Sequence, residues 1–268
     1  MTTIDPTTAQ SFSSARRSWT LGEMELKLLW RNKTALFVAV GLAPAMLLAT
    51  IQLFQGLEGA ELSGMLIVSL AGFALLFGNY YNLTSLTVAR REERMLKRLT
   101  AGEVSRAELL VAMGLPHFLI AFVQVALVAA VLGPTVGAPR FTEPFLAILA
   151  FTAGAVICSL LAFASSGFTR SVESAQLTTM PVLLGASLFS GLIVPLHALP
   201  EQVARVAELT PLAPVVQLLQ LGISGIGPDG NEAVVNAASA GRPLLVVVAW
   251  LVIGVLLTRR SMRWDVRR

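Results

Sequence analysis

Six segments of the chain, 34–55, 62–88, 109–133, 144–168, 175–196 and 243–258, contain not one Asp, Glu, Lys or Arg. An α-helix needs roughly 20 apolar residues to cross the hydrocarbon of a bilayer. In lipid every backbone amide must be satisfied by protein, so crossing segments are helices or closed barrels. These runs are continuous rather than alternating, which predicts helices. The expected fold is an all-α integral membrane protein with six transmembrane helices. Composition agrees: 55% of residues are hydrophobic and 13% charged, where a soluble domain carries about a quarter charged.

Charge placement sets the expected orientation. Loops between successive spans alternate between two sides. Of the 20 Lys and Arg, all but Arg140, Arg205 and Arg242 fall on one of them. Cytoplasmic loops accumulate Lys and Arg. Both termini are therefore expected in the cytoplasm, with the protein multi-pass in the cell membrane. The net charge of +4 is topological and implies no nucleic-acid partner. Cys158 stands alone, so the chain has no internal disulfide and the thiol reads as packing.

Residues 1–15 are rich in Ser and Thr and read as a disordered tail. Over 16–33 Glu23, Lys27 and Arg31 form one stripe of a helical wheel, while Trp19, Leu26 and Trp30 group elsewhere. That pattern predicts an amphipathic helix lying in the membrane interface, in contact with lipid. The segment 34–268 is the six-span transmembrane domain, with short external or shallowly dipping helices between spans five and six. The first apolar run begins only at Thr34, which is not the arrangement of a secretory signal.

Two groups inside the spans stand out. Gly41, Ala45 and Ala49 recur every four residues in span one, and Ser187 and Gly191 do so in span five. Small residues at that spacing let another helix approach, so these five are the candidate dimer interface. In the second half of span two Asn79, Tyr80, Asn82 and Ser85 form a candidate substrate path. The same side chains would equally serve hydrogen bonds between helices.

Other chemistry is missing from the sequence. It has no G-x-x-x-x-G-K-[ST] loop to wrap nucleotide phosphates, no H-E-x-x-H and no G-x-S-x-G. His117 follows Pro116 and is expected to bond a carbonyl in the kinked turn. No Asp or Glu lies within the spans, which argues against coupling to an ion gradient. No bound cofactor, no metal and no catalytic residue is expected.

The segment between spans two and three carries the most information. REERMLKRLTAGEVSR, residues 91–106, alternates Arg91, Glu92, Glu93, Arg94, Lys97 and Arg98 with Met95, Leu96 and Leu99. A short amphipathic helix is expected there, ending near Ala101-Gly102. A second helix starts at Ser105, with Glu108 placed for a capping box. This run resembles the cytoplasmic signature of the type-2 ABC exporter permeases. Three further features resemble that family in the same order: an amphipathic helix before span one, the segment LPEQVARVAELTPLAPVVQLLQLGISG, and a basic tail RRSMRW. Met95-Leu96 departs from the Gly-Thr often found in relatives, which leaves the shape of this helix open.

The resemblance implies a permease subunit of an ATP-driven exporter. Two cytoplasmic ABC ATPase subunits would bring the ATP and Mg, and a second permease chain, identical or homologous, would complete the path. It implies that the helix spanning Arg91 to Leu99 docks on the ATPase, and that spans one, two and five face the path or the partner permease. Aromatics are 7% of the chain, with two Tyr and four Trp, fewer than stacking on sugars would favour. An amphipathic or hydrophobic cargo, such as a drug, natural product, peptide or lipid, fits better. The rival reading is a polytopic membrane scaffold or a membrane enzyme with no transport role.

Overall fold

The computed structural model describes residues 19–20, 22–54, 56–93 and 105–262. The expected tail at 1–15 and most of the segment between spans two and three, 94–104, lie outside them. Apart from one isolated bridge between Ile226 and Glu232, the described secondary structure is helical.

Residues 22–31 form α1. Trp19, Leu26 and Trp30 are exposed and Leu29 is buried. Lys27 pairs with Glu23 at 2.7 Å. Through that hydrogen bond first and its charge second, Lys27 holds Glu23 below the usual carboxylate range.

Among the described residues five helices are long and apolar enough to cross a membrane. They are α2 (Lys33–Thr50), α3 (Gly59–Glu92), α4 (Arg106–Thr135), α5 (Pro144–Ser166) and α9 (Ala237–Ser261). Between the last two lie α6 (Val172–Phe189), α7 (Glu201–Ala207) and α8 (Ala213–Ser224). Helix starts follow local chemistry. Ser105 accepts from the Glu108 amide at 3.2 Å while the Glu108 carboxylate accepts from the Ser105 amide at 2.7 Å. This is the capping box expected there, and α4 runs from it without a break into span three. Asn236 caps α9 in the same way, its Oδ1 accepting from the amides of Ala238 and Ser239. That cap starts the helix at Ala237, six residues before the apolar run at 243–258.

One expectation needs correction. The fifth span is expected at 175–196, but α6 ends at Phe189, and bends at 190–194 follow it. Its early turns carry Glu173, Ser174, Gln176, Thr178 and Thr179, so α6 is not among the five long apolar helices of the described residues. The surroundings of α8, a short external or shallowly dipping helix by its sequence, are set by packing. Every residue of it except Gln220 is buried, and it packs on α3, α5 and α9. A helix that is apolar all round is stable only when surrounded. Gly222 permits the closest contact: a Cβ there would meet the Ala147 amide nitrogen at 2.8 Å.

The helix α3 is the axis of the bundle. Of its apolar window 72% is buried, against 22% for α4 and for α9. The run from Leu66 to Leu76 is buried throughout. Midway, residues Ala74–Asn82 wind as a π-helix, and α2 has its own π segment at Phe37–Gly41 packed against it. Wider turns of this kind occur often at functional sites. The outer helices show apolar side chains outward, among them Val111, Leu127 and Val131 of α4 and Leu245, Val252 and Leu256 of α9. Those faces suit lipid.

Candidate functional site: the polar half of the central helix

The polar half of α3 holds three sets of groups in sequence. Tyr80 is buried, and its hydroxyl lies 3.1 Å from that of Ser165 on α5. Asn82 donates from Nδ2 to the Ala35 carbonyl of α2 at 3.1 Å. Thr84 and Thr87 donate back to the carbonyls of Tyr80 and Leu83, both at 2.7 Å. Tyr80 and Asn82 thus fasten α3 to both neighbours. Asn79 is different. It is fully buried, and neither its Nδ2 nor its Oδ1 has a protein partner. Ser85 is half-buried.

On α4, Gln124 donates from Nε2 to the Val40 carbonyl within the π segment of α2, while its Oε1 has no partner. His117 is buried beside Pro116, with Nδ1 3.0 Å from the Met113 carbonyl. The carbonyl that Pro116 frees is that of Ala112, one residue earlier, so the histidine bonds its own turn rather than the freed group. Cys158 is a buried free thiol.

At the end of α3 two consecutive arginines point in different directions. The Arg91 side chain is turned inward and is 3% exposed. Its Nη1 donates to the Ser166 carbonyl at 2.7 Å and its Nη2 to the Thr169 carbonyl at 2.5 Å, both in the turn joining α5 to α6. Arg90 pairs with Glu25 of α1 at 2.8 Å and with Glu93 at 3.2 Å. Glu25 is itself buried. The end of α3 therefore ties α1 and the α5–α6 turn into one joint. A buried carboxylate and guanidinium hold only when paired and hydrogen-bonded.

The proposed ATPase-docking helix thus begins differently from expectation. Arg91 and Glu92 belong to the last turn of α3, and Glu93 caps it. Arg91 faces its own bundle rather than a partner. Arg94, Met95, Leu96, Lys97, Arg98 and Leu99 lie outside the described residues. The sequence reading missed Glu25, though a signal existed: it is the one acid of α1 that falls off the stripe of Glu23, Lys27 and Arg31. Ser166 and Thr169 act through their backbone carbonyls, which leave no mark in a sequence.

The candidate dimer residues are divided. Ala45 and Ala49 are exposed on α2 and Gly41 is half-buried. Ser187 is buried within the bundle. Gly191 follows the end of α6 with φ +88°, a conformation that favours glycine whatever lies nearby.

Residues 16–223 match the family model described as ABC-2 type transporter. No curated protein matches the chain.

Proposed function

This chain belongs to the ABC-2 type transporter family, and on that premise we propose that it is the permease subunit of an exporter of amphipathic or hydrophobic cargo. A member of this family is a non-catalytic membrane subunit, and the ATP is used by a partner ATPase. The finer reading is ours. Two ATPase copies bind beneath two permease chains, and α6 is the fifth of six spans although its first turns are polar. The basic end of the bundle, with both termini, faces the cytoplasm.

One observation carries the reading. In the sequence the segment 94–104 follows directly on the joint made by Arg90, Arg91, Glu25 and the α5–α6 turn. A push delivered to that segment reaches α1, α3, α5 and α6 together, because these contacts are buried and charge-assisted. Within the segment Met95, Leu96 and Leu99 supply the apolar contact to the ATPase, and the flanking charges supply ion pairs. Burying one Leu or Met contributes roughly 1.5–3 kcal/mol, against about 0–1 kcal/mol for an exposed pair.

The test compares Leu96→Asp with Lys97→Glu in the permease–ATPase complex. Leu96→Asp should lower both copurification of the ATPase and the hydrolysis that depends on the permease, and Lys97→Glu should change them little. If Leu96→Asp keeps both, the segment is a solvated connection and the docking assignment fails.

A further inference from the structure

At the end of the bundle opposite Arg90 and Arg91 lies a cavity of about 330 Å³. It is enclosed by the start of α3, the bends after α6, α8 and the turn at 226–230. Its wall is mostly apolar, with Phe54, Met65 and Leu196 among the lining side chains. Four polar side chains interrupt that wall, Glu61, Ser190, Gln217 and Gln220. Ser190 Oγ and Gln217 Nε2 are buried and have no protein partner. Glu61 is exposed, makes no ion pair with any described residue, and is the one charged side chain among the described lining residues.

Each of these groups is available to a ligand that enters the cavity. A buried donor or hydroxyl without a partner costs about 1–3 kcal/mol, and α8 holds Gln217 where it cannot turn to bulk solvent. The nearby cations are engaged elsewhere, Arg140 with Glu232 and Arg242 with Glu208. Glu61 is therefore the described lining residue that offers a cation a negative charge. An apolar hollow with a few convergent polar groups is the usual form of a small-molecule site.

We propose that this cavity binds the polar end of an amphipathic organic cation. The ligand's acceptor meets Gln217 Nε2, its hydroxyl or ether meets Ser190 Oγ, and its ammonium lies toward Glu61. The apolar body rests on Phe54, Met65 and Leu196. The site lies within a single chain, apart from Asn79 and the α2 stripe. Naming the ligand as cargo rests on the permease reading, whereas the binding itself needs no ATPase.

The probe is quinine, a fluorescent amphipathic cation that carries a hydroxyl and ether oxygen. It is titrated against the full chain in nanodiscs, with empty nanodiscs of the same lipid as background. Saturable binding at one site per chain is expected. Glu61→Gln and Gln217→Leu should each weaken it about fivefold, the size of one partly exposed charge contact or one hydrogen bond. Ser190→Ala should weaken it by a smaller factor, and Leu245→Ala on the outer face of α9 should leave it unchanged. Because Glu61 is exposed, Glu61→Gln carries the test even if a buried substitution fails to fold. Binding no greater than that of empty nanodiscs, or within twofold of the parent in Glu61→Gln, overturns the proposal. Either result leaves the permease reading standing, and a permease that fails to engage an ATPase leaves the cavity result standing.

Discussion

The middle of α3 and its end are both polar and both buried, yet they treat polarity in opposite ways. At the end, Arg91 spends its guanidinium on two carbonyls of the α5–α6 turn and Arg90 reaches the buried Glu25. In the middle, Tyr80 and Asn82 find partners on α5 and α2 while Asn79 finds none. Satisfied buried groups hold helices together, whereas an amide with neither end bonded to a described residue contributes no such tie. The end of α3 is thus a joint. Asn79 makes no such tie to a described residue.

The largest effects should come from breaking the joint. Arg91→Ala strips two carbonyls of a charged donor, each such bond contributing about 1.5–3 kcal/mol. A loss of about 3–5 kcal/mol follows, read as a large fall in the thermal unfolding midpoint of the detergent-solubilised chain. Glu25→Ala leaves Arg90 without its α1 partner and should cost about 3 kcal/mol. If both variants unfold with the parent, the joint is not structural.

Intermediate effects belong to the satisfied middle. Tyr80→Phe and Asn82→Leu each remove one hydrogen bond between helices and should cost about 1 kcal/mol. Asn79→Leu sharpens the contrast because its sign is reversed. Removing an unpartnered buried amide should leave stability unchanged or raise it by up to about 1 kcal/mol, while altering which compounds the assembled exporter moves. Destabilisation equal to that of Asn82→Leu would erase the distinction between the two side chains.

The smallest effect on the subunit itself should come from Ala49→Leu, on the exposed face of α2. Its fold should be unaffected, and crosslinking between permease chains should fall if Ala45 and Ala49 form the contact. This variant is cleaner than Gly41→Leu, because a Cβ at Gly41 would lie 2.9 Å from the Phe37 ring. It is also cleaner than Gly191→Leu, whose backbone would be strained. Unchanged crosslinking would remove this stripe from the interface.

Local chemistry was legible in the sequence, and long-range chemistry largely was not. The capping box of Ser105 and Glu108 follows from residues a turn apart. The starts and ends of α4 and α5 differ little from their apolar runs for the same reason. The burial of α8 was hidden because its length is too short to span and its composition alone does not say what surrounds it. The inward turn of Arg91 was hidden because its partners are backbone carbonyls more than 70 positions away. An alternating charge run reads as solvated face until such acceptors are known. The two π segments leave no pattern at all, and they set which face Asn79 presents.

The most direct test of the joint as the coupling element is a charge swap between Glu25 and Arg90. Permease-dependent ATP hydrolysis is measured in the reconstituted permease–ATPase complex for Glu25→Arg, for Arg90→Glu and for the double variant, with subunit copurification alongside. Each single variant should lose most of that hydrolysis, and the double variant should regain it because the buried pair is restored in reverse. Single variants that hydrolyse ATP at the parental rate, or a double variant no better than either single one, would contradict a joint that carries motion from the ATPase into the spans.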